Sequence, residues 1–197
     1  MTTRIMGDST SLLAIPLSVA IAAVYDDGHL GVETAAQLEA RFPHVKYGHV
    51  FIDVTGANPK AQVRDWETGD KSSSLEQWIT AHNKASGRKD AVIYCNRSTI
   101  PEVRQLTGTQ ILGADYFLWI ATLDGTVATG PGIIGCQVKG AGLTGGDWDM
   151  SLVFDGALWL PVTPKPKPVL VSKERAEAAV SAAVASLATL AVYVTEG

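Results

Sequence analysis

The chain has 197 residues, 46% of them hydrophobic and 18% charged, with a formal net charge of −4 at pH 7. That is enough apolar sequence for one compact domain with a sizeable core, with an appendage besides. The acidic balance, with a pI near 5.5, leaves no basic footprint for nucleic acid and no polybasic signal for an anionic membrane.

The elements follow in order. Arg4 to Thr10 reads as a short strand ending in a polar turn. The apolar stretch from Leu12 to Ala23 is short and broken by Pro16, and Asp8 stands ahead of it, which argues against a cleaved signal segment. Val19 to Tyr25 is a continuous apolar run, as in a strand buried on both faces, and ends in the turn Asp26-Asp27-Gly28. Thr34 to Phe42 reads as a helix, with Thr34 and Gln37 as a capping box and Pro43 as the stop. Val50 to Val54 is a third strand and Ala61 to Trp66 a fourth.

Ser72-Ser73-Ser74 then opens a helix that runs to about Ala85 and stops at Gly87. Ala91 to Cys95 is a fifth strand, and Ile100-Pro101-Glu102 begins another helix with Pro in its first turn. Tyr116 to Ala121, Ile133 to Val138 and Trp148 to Phe154 complete eight strands. Cys95 and Cys136 lie far apart in two of these apolar runs and read as small buried residues. His29, His44, His49 and His82 are scattered, without zinc spacing, so no metal and no cofactor is expected.

Strands alternating with helical segments predict an α/β fold, a small (β/α)8 barrel of TIM type occupying residues 1–160. Below the usual ~250 residues, such a barrel must shorten or lose helices, above all between the last three strands. An open doubly wound sheet is the competing arrangement, but no Gly-x-Gly-x-x-Gly follows the first strand. Residues 161–171 form a Pro- and Lys-rich linker, stiff and extended. Residues 172–197 read as an Ala-rich helix with Val180, Val184, Leu187, Ala191 and Val194 in a narrow stripe. That stripe suits packing on the chain's own barrel or on a partner helix, and is too short and small-sided for a membrane span.

One stretch carries paired acids at a strand end: Asp65 and Glu67, two apart, share one face in Arg64-Asp65-Trp66-Glu67-Thr68-Gly69-Asp70. This stretch resembles the fourth-strand motif of the glycoside-hydrolase-like barrels of actinobacteria and their bacteriophages, relatives of the lysozyme-type glycoside hydrolase family 25. Met6-Gly7-Asp8-Ser9-Thr10 resembles the family's first-strand motif. Ile93-Tyr94-Cys95-Asn96-Arg97-Ser98, Leu118-Trp119-Ile120-Ala121, Gln137 and Asp147-Trp148-Asp149-Met150-Ser151 resemble its motifs at strands five to eight. The likeness spans about residues 4–160. It departs from the family at Val138, where an aromatic is usual, at Trp66, where a smaller residue is, and at Gly7-Asp8, which lacks an intervening residue.

In a barrel of this kind functional groups sit at the C-terminal ends of strands, where Asp8, Asp65, Glu67 and Asp149 would converge. The resemblance implies Glu67 as the acid, Asp65 as charge stabiliser or orienter of an acetamido group, and Asp8 and Asp149 in support. It implies Tyr94, Trp119 and Gln137 as groove residues for sugar, with core packing as the plainer role of Tyr94 and Trp119. Asn96 and Arg97 are expected to fix the turn after the fifth strand, and Asp70 to start a helix or turn.

Two functions follow as expectations. One is a bacteriophage virion-associated protein, a minor head, tail or decoration component. It would contact other phage structural subunits through residues 162–197 and bind or cleave cell-wall glycan with its barrel. The other is an active peptidoglycan hydrolase of muramidase type, held in the host cytoplasm and then released to the cell wall.

Overall fold

The computed structural model describes residues 3–25, 35–45, 49–67 and 74–154. The linker, the Ala-rich segment, Asp70 and the expected cap at Thr34 lie outside the described residues. Eight strands close a barrel in chain order: β1 Thr3–Ser9, β2 Ile21–Tyr25, β3 His49–Asp53, β4 Val63–Asp65, β5 Ala91–Asn96, β6 Tyr116–Ala121, β7 Ile133–Lys139 and β8 Asp149–Phe154. Among the described residues the α-helices are α1 Ala35–Arg41, α2 Leu75–Ser86 and α3 Ile100–Leu106. The mixed α/β barrel expected from the strand count is therefore present, with helices missing where the late connections are short.

One strand departs from the expected parallel arrangement. Neighbours from β1 to β7 are parallel, but β8 runs antiparallel to both β1 and β7. The physical reason is the connection. Residues 140–148 are fewer than the dozen or so that a parallel crossover takes, so β7 returns directly as a hairpin. Asp149 therefore opens its strand instead of ending it. The reversal leaves it at the same mouth of the barrel, as the register partner of Asp8.

Side-chain alternation along the strands separates two packed layers. Met6, Ile21, Val50, Val63, Val92, Trp119 and Val153, from different strands, fill the barrel interior. Outside, α2 lays Leu75, Trp78 and Ile79 on Trp66, Ile93 and Leu118. This helix starts where the sequence predicts: Ser74 Oγ accepts the Gln77 N–H, and Gly87 ends it in the left-handed region at φ +70°. Leu38 of α1 packs with Phe42, Val24 and Ile15 against another side of the barrel. Cys95 and Cys136 are buried free thiols, and burial pushes the Cys95 thiol up to about 12.

Gly7, just ahead of Asp8, lets β1 sit close beneath its cover. A Cβ there would lie 3.0 Å from Ile15 Cγ2, 3.1 Å from Trp148 Cε3 and 3.1 Å from Val19 Cγ1. Three contacts that tight leave no free direction for a methyl group. Gly7→Ala is expected to destabilise the fold by about 1–3 kcal/mol through overpacking, read as a lower urea midpoint with an unchanged slope.

Candidate active site

The mouth of the barrel collects acids that would repel each other in the open. Asp8 at the end of β1 is 2% exposed and Asp65 at the end of β4 is 1% exposed. Asp149 begins β8 beside Asp8, and Glu67 follows β4 by two residues. The Glu67 N–H donates to Asp65 Oδ1 at 2.8 Å, so one acid positions the backbone of the other. Asp149 Oδ1 accepts the Ala141 N–H from the β7–β8 hairpin. Asp8 Oδ1 is buried without a hydrogen-bond partner.

The electrostatics follow from this crowding. Burial, then the charges of Asp149 and Asp65, push the Asp8 carboxyl well above the usual aspartate range. Burial likewise raises Asp149, against the opposing hydrogen bonds of the Ala141 N–H and the Gln137 amide. Glu67 is raised chiefly by burial; a Tyr94 hydrogen bond opposes this, and Asp65 and Asp149 add to it. Each of these groups holds its proton more tightly folded than unfolded. Their contribution to stability is thus full at acid pH and is lost as pH rises through the folded values. Asp8→Asn is accordingly expected to raise the melting temperature at neutral pH, with the gain shrinking towards acid pH. A melting series across pH checks it.

Tyr94 and Gln137 join the acids into one network. The Tyr94 hydroxyl donates to Gln137 Oε1, and the Gln137 amide reaches Asp149. Tyr94 has one hydroxyl proton to give. With Glu67 ionised, that proton can turn to its carboxylate and hold it down. With Glu67 protonated, the Tyr94 oxygen accepts and its proton goes to Gln137. The hydroxyl thus serves either state of the acid. Asn96 Nδ2 donates to Glu67 Oε1 at 2.6 Å and fixes the carboxyl's orientation.

The structure brings together Asp8, Asp65, Glu67, Asp149, Tyr94 and Gln137. Trp119, the register partner of Tyr94 on β6, is buried at 1% exposure. Its indole N–H donates to Ser151 Oγ at 3.0 Å, and its ring lies 4.7 Å from the Tyr94 ring, between centroids. Trp119 therefore supports Tyr94 from the interior. Two further residues reach the site. Asn96 keeps a part in the turn, its carbonyl accepting from Thr99 Oγ1, but its side chain also holds the acid. Tyr25, at the end of β2, is raised by burial and then by the charges of Asp8, Asp65, Asp149 and Glu67. Its place at the end of an apolar strand, just before a turn, was the signal available in the sequence. Among the described residues no group of His, Cys, Asp and Glu is arranged to hold a metal ion.

Comparison with protein-family models gives no match, and comparison with curated proteins gives none. Among solved structures, the catalytic domain of endolysin ply40 from bacteriophage P40 of Listeria monocytogenes matches with a TM-score of 0.51 at 14% identity. The match covers 78% of this chain and 94% of that domain. At this identity the likeness concerns the fold, and it spans nearly the whole of that catalytic domain.

Proposed function

We propose that the barrel is a peptidoglycan glycosidase of muramidase type, the kind of cell-wall hydrolase a bacteriophage deploys. The observation that carries this reading is Glu67. It is a half-buried carboxyl with a raised proton affinity, oriented by Asn96 and Tyr94, open to a cleft on one side. Asp8, Asp65 and Asp149 do not line that cleft. Glycoside hydrolysis asks for one carboxyl protonated as acid and an anionic group where positive charge develops on the sugar, the parts assigned here to Glu67 and Asp65. The likeness to an endolysin catalytic domain supports the same reading.

In this mechanism Glu67 gives its proton to the departing oxygen as the glycosidic C–O bond breaks, and the ionised Glu67 then takes a proton from the water whose oxygen bonds to the anomeric carbon. Asp65, fixed through the Glu67 backbone, stabilises the oxocarbenium-like sugar or orients its acetamido group, and Asp149 and Asp8, whose burial favours their protonated forms, stand behind it in support. Tyr94 passes its hydrogen bond between Gln137 and Glu67 as the acid changes state. A virion-associated placement is a separate reading that stands on the Pro- and Lys-rich linker and the apolar stripe of residues 180–194 in the sequence.

The test is incubation of the purified protein with washed, protein-free peptidoglycan. New reducing ends are counted and the sugar bearing them is identified after borohydride reduction. Muramic acid at the new reducing end is expected. No release above a heat-killed control at any pH from acid to neutral would overturn the assignment.

A further inference from the structure

A cleft of about 390 Å³ opens beside Glu67 between the turn after β5 and the loop after β6. Glu67, Arg97, Leu123 and Asp124 are among the residues that line it, and neither Asp8, Asp65 nor Asp149 does. The far wall is braced. Arg97 Nη2 donates to Thr126 Oγ1 at 3.1 Å. Asp124 Oδ1 accepts both the Thr126 N–H and its hydroxyl. A guanidinium and a carboxylate are thus held side by side with donor and acceptor positions left for a ligand.

Leu123 carries the second feature. Among the described residues it is the one non-glycine with positive φ, +58°, and the residue is 44% exposed. A bulky residue in the left-handed region is a steric outlier, and such strain persists where the surroundings enforce it. Here the Gln137 carbonyl accepts the N–H groups of both Thr122 and Leu123 and fixes the bend. The result is an apolar side chain held at the rim of a polar cleft. A Cβ built on Gly140 would lie 3.8 Å from both Leu123 Cδ2 and Asp149 Oδ1, so this rim adjoins the acid cluster.

Resting on the hydrolase reading, the cleft has a defined side of the reaction. The sugar that becomes cation-like belongs over the massed carboxylates, and the departing sugar lies across the acid from them. We propose that this cleft is the leaving-group subsite and takes one neutral N-acetylhexosamine. Arg97 and Asp124 bind its hydroxyls, and Leu123 packs on its ring face or acetamido methyl.

The experiment pairs binding with kinetics on the full chain. N-acetylglucosamine is titrated into the wild-type protein while the Leu123 methyl resonances are followed, assigned through Leu123→Val. Saturable shifts with roughly millimolar affinity are expected, weakened about fivefold or more in Arg97→Ala/Asp124→Ala. On peptidoglycan the same double variant is expected to raise KM about tenfold with kcat changed less than about twofold. An active wild type whose Leu123 signals ignore the sugar, or a double variant with unmoved KM, overturns the subsite. A wild type that releases no reducing ends sinks the hydrolase reading and the leaving-group role with it. The titration then still decides whether the cleft accepts the sugar.

Discussion

Glu67→Gln is expected to slow the release of reducing ends from peptidoglycan by about a thousandfold, within the range that a positioned acid contributes. Gln keeps the shape of the side chain and its bond to Asn96 but cannot deliver a proton. Because burial already disfavours the charged form of Glu67, the neutral amide should leave the melting temperature at neutral pH unchanged or higher. Loss of activity without loss of fold separates an acid from a structural carboxyl. The pH profile adds a signed check. The acid works while protonated, so wild-type activity should fall as pH rises through its raised value. Asp65 helps to raise that value, so Asp65→Asn should move the alkaline limb to lower pH whatever it does to the rate at the optimum. A limb that stays in place, or a Glu67→Gln variant within about tenfold of wild type, removes Glu67 from the role.

The second large effect concerns stability. Arg64 is fully buried on the outward face of β4. Its Nη1 donates to the carbonyls of Asp53 at 3.1 Å and Asp65 at 2.9 Å, and also to that of Val54. Its guanidinium lies 5.5 Å from the centroid of the Trp66 ring. The seam it crosses is thin, since β3 and β4 share only the pairs Ile52 with Val63 and Asp53 with Arg64. Arg64 therefore ties together strand ends that the ladder alone holds weakly. Arg64→Met keeps most of the volume and strands the carbonyls. Each buried acceptor left without its donor costs about 1–3 kcal/mol, so a total loss of roughly 3 kcal/mol or more is expected. In a domain of this size that is a fall in melting temperature of about 6–12 °C. A loss under about 1 kcal/mol would show that water or rearrangement satisfies the carbonyls.

Asp53 belongs to the same seam and shows how a buried acid can be wholly structural. It accepts the Gly56 N–H at 2.7 Å, the Asn58 N–H at 2.9 Å and the Trp78 indole N–H at 2.9 Å. All its capacity goes to closing the β3–β4 turn and seating α2. Asp8, by contrast, keeps a buried oxygen without a partner.

Much of this was legible in the residues. Continuous apolar runs marked β2 and β5, and the serine run ending at Ser74, the Gly87 stop and Pro101 marked α2 and α3. The spacing of Asp65 and Glu67 put both at one strand end. Other parts required three dimensions. Hydrophobic patterning is the same for a strand in either direction, so the reversal of β8 was hidden, although the brevity of residues 140–148 pointed to a hairpin. The Asn96 side chain meets an acid 29 positions earlier, and no local pattern encodes that. Trp119 and Tyr94 both sit in apolar strands with polar atoms to spare. Only their partners in the fold, Ser151 for Trp119 and Gln137 with Glu67 for Tyr94, assign one to support and the other to the acid.

The reversed last strand has a practical consequence for handling the protein. Thr3 and Phe154 are register partners, so the chain enters β1 and leaves β8 at the pole opposite the mouth. A bead, dye or display scaffold joined directly at either point would leave the opening turned outward. An insoluble polymer could then slide across the open end without meeting its tether. A barrel whose eighth strand ran parallel would place that second attachment point on the working face.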